Sequence, residues 1–161
     1  MELTFAPKNI LQINDARIIF RNFRGEAGPY NDEGDRSFHL VIPDTETAQK
    51  LLQDVNKLGA AWNVKIKQPR EEGEAPFIHM PVKVKYTDRS APNIYLISGE
   101  NKIEITEETV GMLDDIDIRS VDLDIRPFDG ESRGNAFRAA YLQGMWIVQE
   151  VDRFASRFEA Q

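Results

Sequence analysis

The chain has 161 residues, 41% of them hydrophobic, and a formal net charge of −7. That length and apolar content suit one domain with a real core, and the lack of cysteine excludes disulfides, thiolate metal sites and a cysteine nucleophile. No stretch approaches the ~20 apolar residues of a membrane helix, and Met1 to Ile13 lacks the basic-then-apolar order of a signal peptide, so a cytoplasmic protein is expected.

The charge is unevenly spread. Between Glu100 and Asp124 stand nine acids (Glu100, Glu104, Glu107, Glu108, Asp114, Asp115, Asp117, Asp122 and Asp124) against Lys102 and Arg119, and the rest of the chain is balanced. The acidity is local, which leaves room for a basic face elsewhere.

Residues 16–23 alternate and are rich in β-branched and aromatic types, the pattern of a strand. The Gly-rich stretch Arg24 to Asp35 reads as a loop, and Arg36 to Ile42 as a second strand completing a long hairpin. Pro43 ends it, and Asp44 or Thr45 can cap a helix whose apolar face is Ala48, Leu51, Leu52, Val55 and Leu58, stopped at Gly59. Trp62 to Lys67 and Phe77 to Tyr86 read as strands around the flexible stretch Gln68 to Pro76, followed by a turn at Ser90 to Asn93. Ile94 to Ser98 and Lys102 to Ile105 form a hairpin around Gly99-Glu100-Asn101, and Thr106 caps a short helix bearing Val110 and Leu113. Asp117 to Phe128 and Ala136 to Val151 are long strands joined by the turn Asp129 to Asn135. The last is apolar on both faces and thus central, with a bulge at Gly144. Asp152 begins a short tail. The strands do not alternate with helices, so the expected fold is mainly β: an elaborated antiparallel β-barrel of OB-like type over residues 1–161, with one amphipathic helix and one short helix.

Odd and even residues of a strand face opposite sides. Ala16, Ile18 and Phe20 then form the inner set of the first strand, and Arg17, Ile19, Arg21 and Phe23 the outer one. Met80, Val82, Val84 and Tyr86 oppose Phe77, His79, Pro81, Lys83 and Lys85. Trp62, Val64 and Ile66 oppose Lys65 and Lys67. Arg24, Tyr30 and Arg36 extend the set from the hairpin loop, and Arg126, Phe128, Arg133 and Arg138 from the region of the last turn. Cations interleaved with aromatics are what a single strand of nucleic acid requires, because cations track phosphates and rings stack on bases. The same residues also suit an ordinary solvated sheet face.

Arg21-Asn22-Phe23-Arg24-Gly25, Tyr30 and Gly34-Asp35-Arg36-Ser37-Phe38 resemble the first hairpin of a family of bacteriophage and prophage single-stranded DNA-binding proteins. Trp62-Asn63-Val64-Lys65, Pro69-Arg70-Glu71-Glu72-Gly73 and Val121-Asp122-Leu123-Asp124-Ile125-Arg126-Pro127 are similar to it as well, so the resemblance spans about residues 17–148. It implies an OB-type barrel that coats single-stranded DNA during phage replication or recombination in the host cytoplasm. It also implies replication or recombination proteins as partners, a homo-oligomer being compatible with it. The residues then expected at DNA are Arg17, Arg21, Arg24, Arg36, Lys65, Lys83 and Lys85 on phosphates and Phe23, Tyr30 and Phe77 on bases. Such proteins often end in an acidic tail that recruits enzymes. This chain ends Arg157-Phe158-Glu159-Ala160-Gln161, with a single acid, which speaks against recruitment of that kind.

No catalytic residue, metal or cofactor is expected. Two histidines without cysteine do not make a zinc site, and neither Ser98-Gly99 nor Gly130 to Gly134 has the context of a nucleophile elbow or phosphate loop. Two other readings stand beside the binding one. Asp122 and Asp124 share a strand face and could hold Mg²⁺ in a nuclease, although solvated edge charges explain them as well. The acidic segment could instead be a protein-docking or DNA-mimicking surface.

Overall fold

The computed structural model describes residues 1–87 and 91–151. Ser90 of the expected turn and the expected tail at 152–161 lie outside the described residues.

The first fourteen residues, in which the sequence shows no strand, form a hairpin. β1 (Glu2–Ala6) and β2 (Ile10–Asn14) pair antiparallel across a 3-10 turn at Pro7–Asn9. β2 lies on a long strand near the C-terminus, which buries Leu11 and Ile13 and leaves Gln12 exposed. Pairing with β1 and with that distant strand makes so short an alternation a strand.

β3 (Ile18–Asn22) and β4 (Arg36–Val41) form the expected hairpin. Asp44 caps α1 (Thr45–Gln53), its carboxylate accepting from the Thr47 N–H at 2.7 Å. The helix buries Ala48 and Leu51 but ends well before Gly59, and Leu52, Val55 and Leu58 are exposed. Tertiary hydrogen bonds outweigh the helical pattern here. The Asp54 carboxylate accepts from Trp62 Nε1 at 2.8 Å and pairs with Arg138, and Asn56 Oδ1 accepts from the N–H groups of Leu58 and Ala60.

The expected strand at Trp62 to Lys67 shortens to β5 (Lys65–Lys67), where Ile66 is exposed rather than inward, while Trp62 is buried in a bridge to Arg138. β6 (Phe77–Val84), β7 (Asn93–Ser98), β8 (Asn101–Ile105), a 3-10 helix at Val110–Asp114, β9 (Ile118–Ser132) and β10 (Asn135–Gln149) follow.

The ten strands form one sheet in the order β1-β2-β9-β10-β6-β4-β3, with β5 beside β6, β7 beside the second half of β10, and β8 beyond β7. The sheet is open. This corrects the expected closed antiparallel barrel, because β1 and β3 end the path unpaired with each other and β10 runs parallel to both β6 and β7. β10 is central as its composition implies, and its register shifts between Leu142 and Gly144. One apolar cluster fills the inner side, including Phe38, Met80, Leu96, Leu113, Ile125 and Leu142. No helix among the described residues is long and apolar enough to cross a membrane.

The largest departure from simple alternation is in β3. Ile19 pairs with His39 and Asn22 with Ser37, so two residues, Phe20 and Arg21, stand opposite Phe38 alone. This is a β-bulge, and Phe20 sits in it at φ +52°, a conformation that bulky side chains rarely adopt. The extra residue inverts the faces beyond it. Phe20, expected inside, is 63% exposed, and Phe23, expected outside as a base-stacking ring, is fully buried on Phe38 with ring centroids 5.4 Å apart. Phe23 thus has no free face for a base. Phe23→Ala is expected to destabilise the fold by about 3–5 kcal/mol, and Phe20→Ala by far less, as read from urea unfolding midpoints.

Candidate nucleic-acid interface

The bulge delivers Phe20 onto the outer face of β4 and β6. There His39 and His79 meet with their Nδ1 atoms 2.8 Å apart. One neutral ring donates its Nδ1–H to the lone pair of the other. Phe20 packs edge-on against both rings, at 5.3 and 6.0 Å between centroids. Phe77 lies 4.8 Å from His79 at an interplanar angle of 30°. Four rings from three strands thereby make one aromatic surface.

Cations border it. On β5, Lys65 stands opposite His79 and Lys67 opposite Phe77. Lys83 follows on β6, exposed, and the exposed Arg17 precedes β3, its carbonyl accepting from Val41 N–H. Among the described residues, Arg17, Lys65, Lys67 and Lys83 have no ion-pair partner.

The burial of the rings and the nearby Lys65 favour the neutral pair. Burial, then His79 and then Lys65, lower the pKa of His39 to about 4, and burial followed by Lys65 lowers that of His79. Desolvation and neighbouring positive charge both disfavour an imidazolium. The surface is therefore apolar and aromatic near neutral pH, with its positive charge at the rim.

The cations of the first hairpin are arranged differently. Arg21 Nη1 donates to the carbonyls of Leu113 and Ile116 at 2.7 and 2.8 Å. Arg24 forms a bidentate pair with Asp115, which raises the guanidinium pKa and lowers that of the carboxylate. Arg36 lies 3.7 Å from Glu107 and over the Tyr86 ring, and Lys85 lies 3.7 Å from Asp35. The Asp114 carboxylate accepts from the N–H groups of Phe23 and Arg24 at 2.7 and 3.0 Å. Part of the acidic segment thus ties down the end of this hairpin. Of the ten residues expected at DNA, Arg17, Lys65, Phe77 and Lys83 gather at the aromatic surface. Arg21, Arg24, Arg36 and Lys85 already hold protein partners, Tyr30 projects fully exposed from the loop, and Phe23 is in the core.

Sequence reasoning missed Phe20 and the histidine pair. Phe20 could not be found, because the bulge that exposes it leaves no local signature. His79 is already outward in the sequence pattern, and what the pattern lacks is the register of β4 against β6 that brings His39 beside it.

Elsewhere on the sheet, Asp122 Oδ1 accepts from the Asp15 N–H at 2.8 Å, a structural use of half the carboxylate pair. Among the described residues no group of three or more His, Asp or Glu side chains is placed to hold a metal ion. Arg138, expected among the outer cations, is 97% shielded. It bridges Asp129 and Asp54 and lies 5.2 Å from the Trp62 ring.

An open β-sheet with rings and unpaired cations on its outer face suits the binding of a single strand. Over residues 2–161 the chain matches the family described as "Putative phage ssDNA-binding domain", and it belongs to that family of phage single-stranded DNA-binding domains. Among solved structures it is similar to the single-stranded DNA-binding protein from bacteriophage Enc34 in complex with ssDNA. The identity is 14%, covering 95% of this chain and 93% of that one, with a TM-score of 0.53. A second structure of the Enc34 protein matches at 14% identity over 96% and 94%, also with a TM-score of 0.53. At such identity the likeness speaks for the fold. No curated protein sequence matches the chain.

Two outcomes follow from this geometry. Asp114→Ala strands two backbone N–H groups and is expected to cost about 1–2 kcal/mol of stability, measured by urea unfolding. For His39 the folded pKa lies below the unfolded value, so the unfolded chain binds the extra proton between about pH 6.5 and 4. Its contribution is fully present above that window and lost as pH falls through it. His39→Gln is expected to flatten the pH dependence of the unfolding midpoint across that range.

Proposed function

We propose that the chain binds single-stranded DNA, without strong sequence preference, on the outer face built from β3, β4, β5 and β6. The observation that carries this is the ring surface of Phe20, His39, His79 and Phe77 bordered by the unpaired cations Arg17, Lys65 and Lys83. Bases of any identity can stack on rings, and the cations follow the phosphates. The hairpin residues Arg21, Arg24, Arg36 and Lys85 are engaged by their protein partners, and Tyr30 is free to reach the strand from the loop.

The reading takes residues 1–161 as one OB-like unit whose role is binding alone, with no chemistry, metal or cofactor. It places that role in phage DNA replication or recombination in the cytoplasm of the bacterial host, alongside the proteins of those processes and further copies of the chain.

The test is titration of a labelled oligonucleotide at several salt concentrations. Affinity is expected to fall as salt rises, with Lys83→Ala reducing the magnitude of the log–log slope by about 0.7. Phe20→Ala is expected to weaken binding by about 1–3 kcal/mol while the protein stays folded. Equal affinity for duplex and single strand, or no loss on removing Phe20, would falsify the assignment of this face. Intact oligonucleotide after incubation with Mg²⁺ separates binding from the nuclease reading.

A further inference from the structure

The strand registers align outward residues of five neighbouring strands into one row. Arg126 on β9 stands opposite Tyr141 on β10, Tyr141 beside Lys83 on β6, Lys83 opposite Ser37 on β4, and Ser37 opposite Asn22 on β3. Inner neighbours of these positions, among them Ile125, Leu142, Val82 and Phe38, are buried, so the row lies on the outer face. At ~4.8 Å between strands it crosses about 19 Å of sheet.

At its β9–β10 end stands a second set of rings. Phe128 and Tyr141 are stacked at 4.8 Å with an interplanar angle of 2°, and Phe137 lies 6.2 Å from Phe128. The Arg126 guanidinium sits 5.0 Å over Tyr141, and Phe128 is 44% exposed. Arg126 has no ion-pair partner among the described residues. Between this set and the Phe20–His39–His79–Phe77 surface lie Pro81 and the exposed Lys83. A cleft of about 510 Å³ opens beside Lys83 between Phe137 and the segment Ala60 to Val64. Past the bulge at Gly144 the outer face changes character, because Asp124 pairs with Gly144 and Asp122 with Trp146. Carboxylates there oppose a phosphate chain, which keeps the path on the Arg126–Tyr141 side of the bulge.

We propose that Phe128 and Tyr141, with Arg126, form a second nucleobase-stacking site, and that single-stranded DNA crosses the strands from the histidine surface to this site with a phosphate on Lys83. This rests on the function proposed above and deepens it: one protomer holds the strand at two separate points. Charge complementarity along Arg126 and Lys83 and continuity with the first surface favour nucleic acid over a protein partner here.

The test is a length series of labelled oligothymidylates from about 2 to about 12 nucleotides, titrated into wild type, Phe20→Ala and the double variant Phe128→Ala/Arg126→Gln. Wild-type affinity is expected to rise in two stages as the oligonucleotide first fills one site and then reaches the other. The double variant is expected to match wild type on the shortest oligonucleotides and to bind the longer ones about 5- to 100-fold more weakly. Phe20→Ala is expected to be weaker at every length. A double variant equal to wild type at all lengths, with Phe20→Ala impaired, overturns the second site and leaves the proposed function standing. Absence of wild-type binding at every length overturns both. Should the double variant melt early, photocrosslinking of iodo-deoxyuridine oligonucleotides to wild type decides. Adducts at Phe128 or Tyr141 support the site, and adducts confined to β3, β4 and β6 overturn it.

Discussion

One extra residue in β3 governs what this sheet presents to solvent. In a regular strand Phe20 and Phe23 lie on opposite faces, Phe20 inside and Phe23 outside, and the bulge exchanges them. The exchange needs an anchor, because Phe20 takes a positive φ and two N–H groups beyond it leave the ladder. Asp114 receives those N–H groups, and Arg21 reaches the carbonyls of Leu113 and Ile116. The 3-10 helix at Val110–Asp114 thus acts as a template for the bulge. Strain at one residue is held by hydrogen bonds from a segment some ninety positions away.

From this follows the division of labour among the charges. The nine acids between Glu100 and Asp124 make the chain acidic overall, yet four of them work within the fold: Glu107, Asp114 and Asp115 on the first hairpin, and Asp122 on the Asp15 N–H. The hairpin arginines are consumed in the same contacts. Arg17, Lys65, Lys67 and Lys83, on or beside the strands that carry the rings, keep their charge unpaired among the described residues. A negative total charge is compatible with a phosphate-binding face because the two signs are separated within one sheet.

The histidine pair connects packing to solution behaviour. Two imidazoles 2.8 Å apart share a hydrogen bond only when at least one ring nitrogen is unprotonated. Burial beneath Phe20 and the proximity of Lys65 hold them so. The aromatic surface is therefore an element that needs neutral rings to persist, and its integrity is tied to pH through the fold as well as through any ligand.

The sequence by itself determined the β-rich class, most strand positions, the central place of the last strand with its bulge near Gly144, and the absence of any cysteine chemistry. Hydrophobic alternation and turn residues are local signals, and those features depend on them. It also marked Phe77 and Lys83 correctly as outward, because β6 keeps its alternation, and Lys65 is exposed on β5 although Ile66 beside it is exposed too. Tertiary structure alone decided the rest. Which arginines remain unpaired depends on acids about ninety residues distant. The end of α1 depends on Trp62 and Arg138 capturing Asp54, and the strand character of the N-terminus depends in part on β9. Whether the sheet closes depends on β10 accepting parallel partners. The facing of Phe20 and Phe23 turns on a one-residue bulge, and because side chains alternate with period two, a single unlocatable insertion inverts every face beyond it.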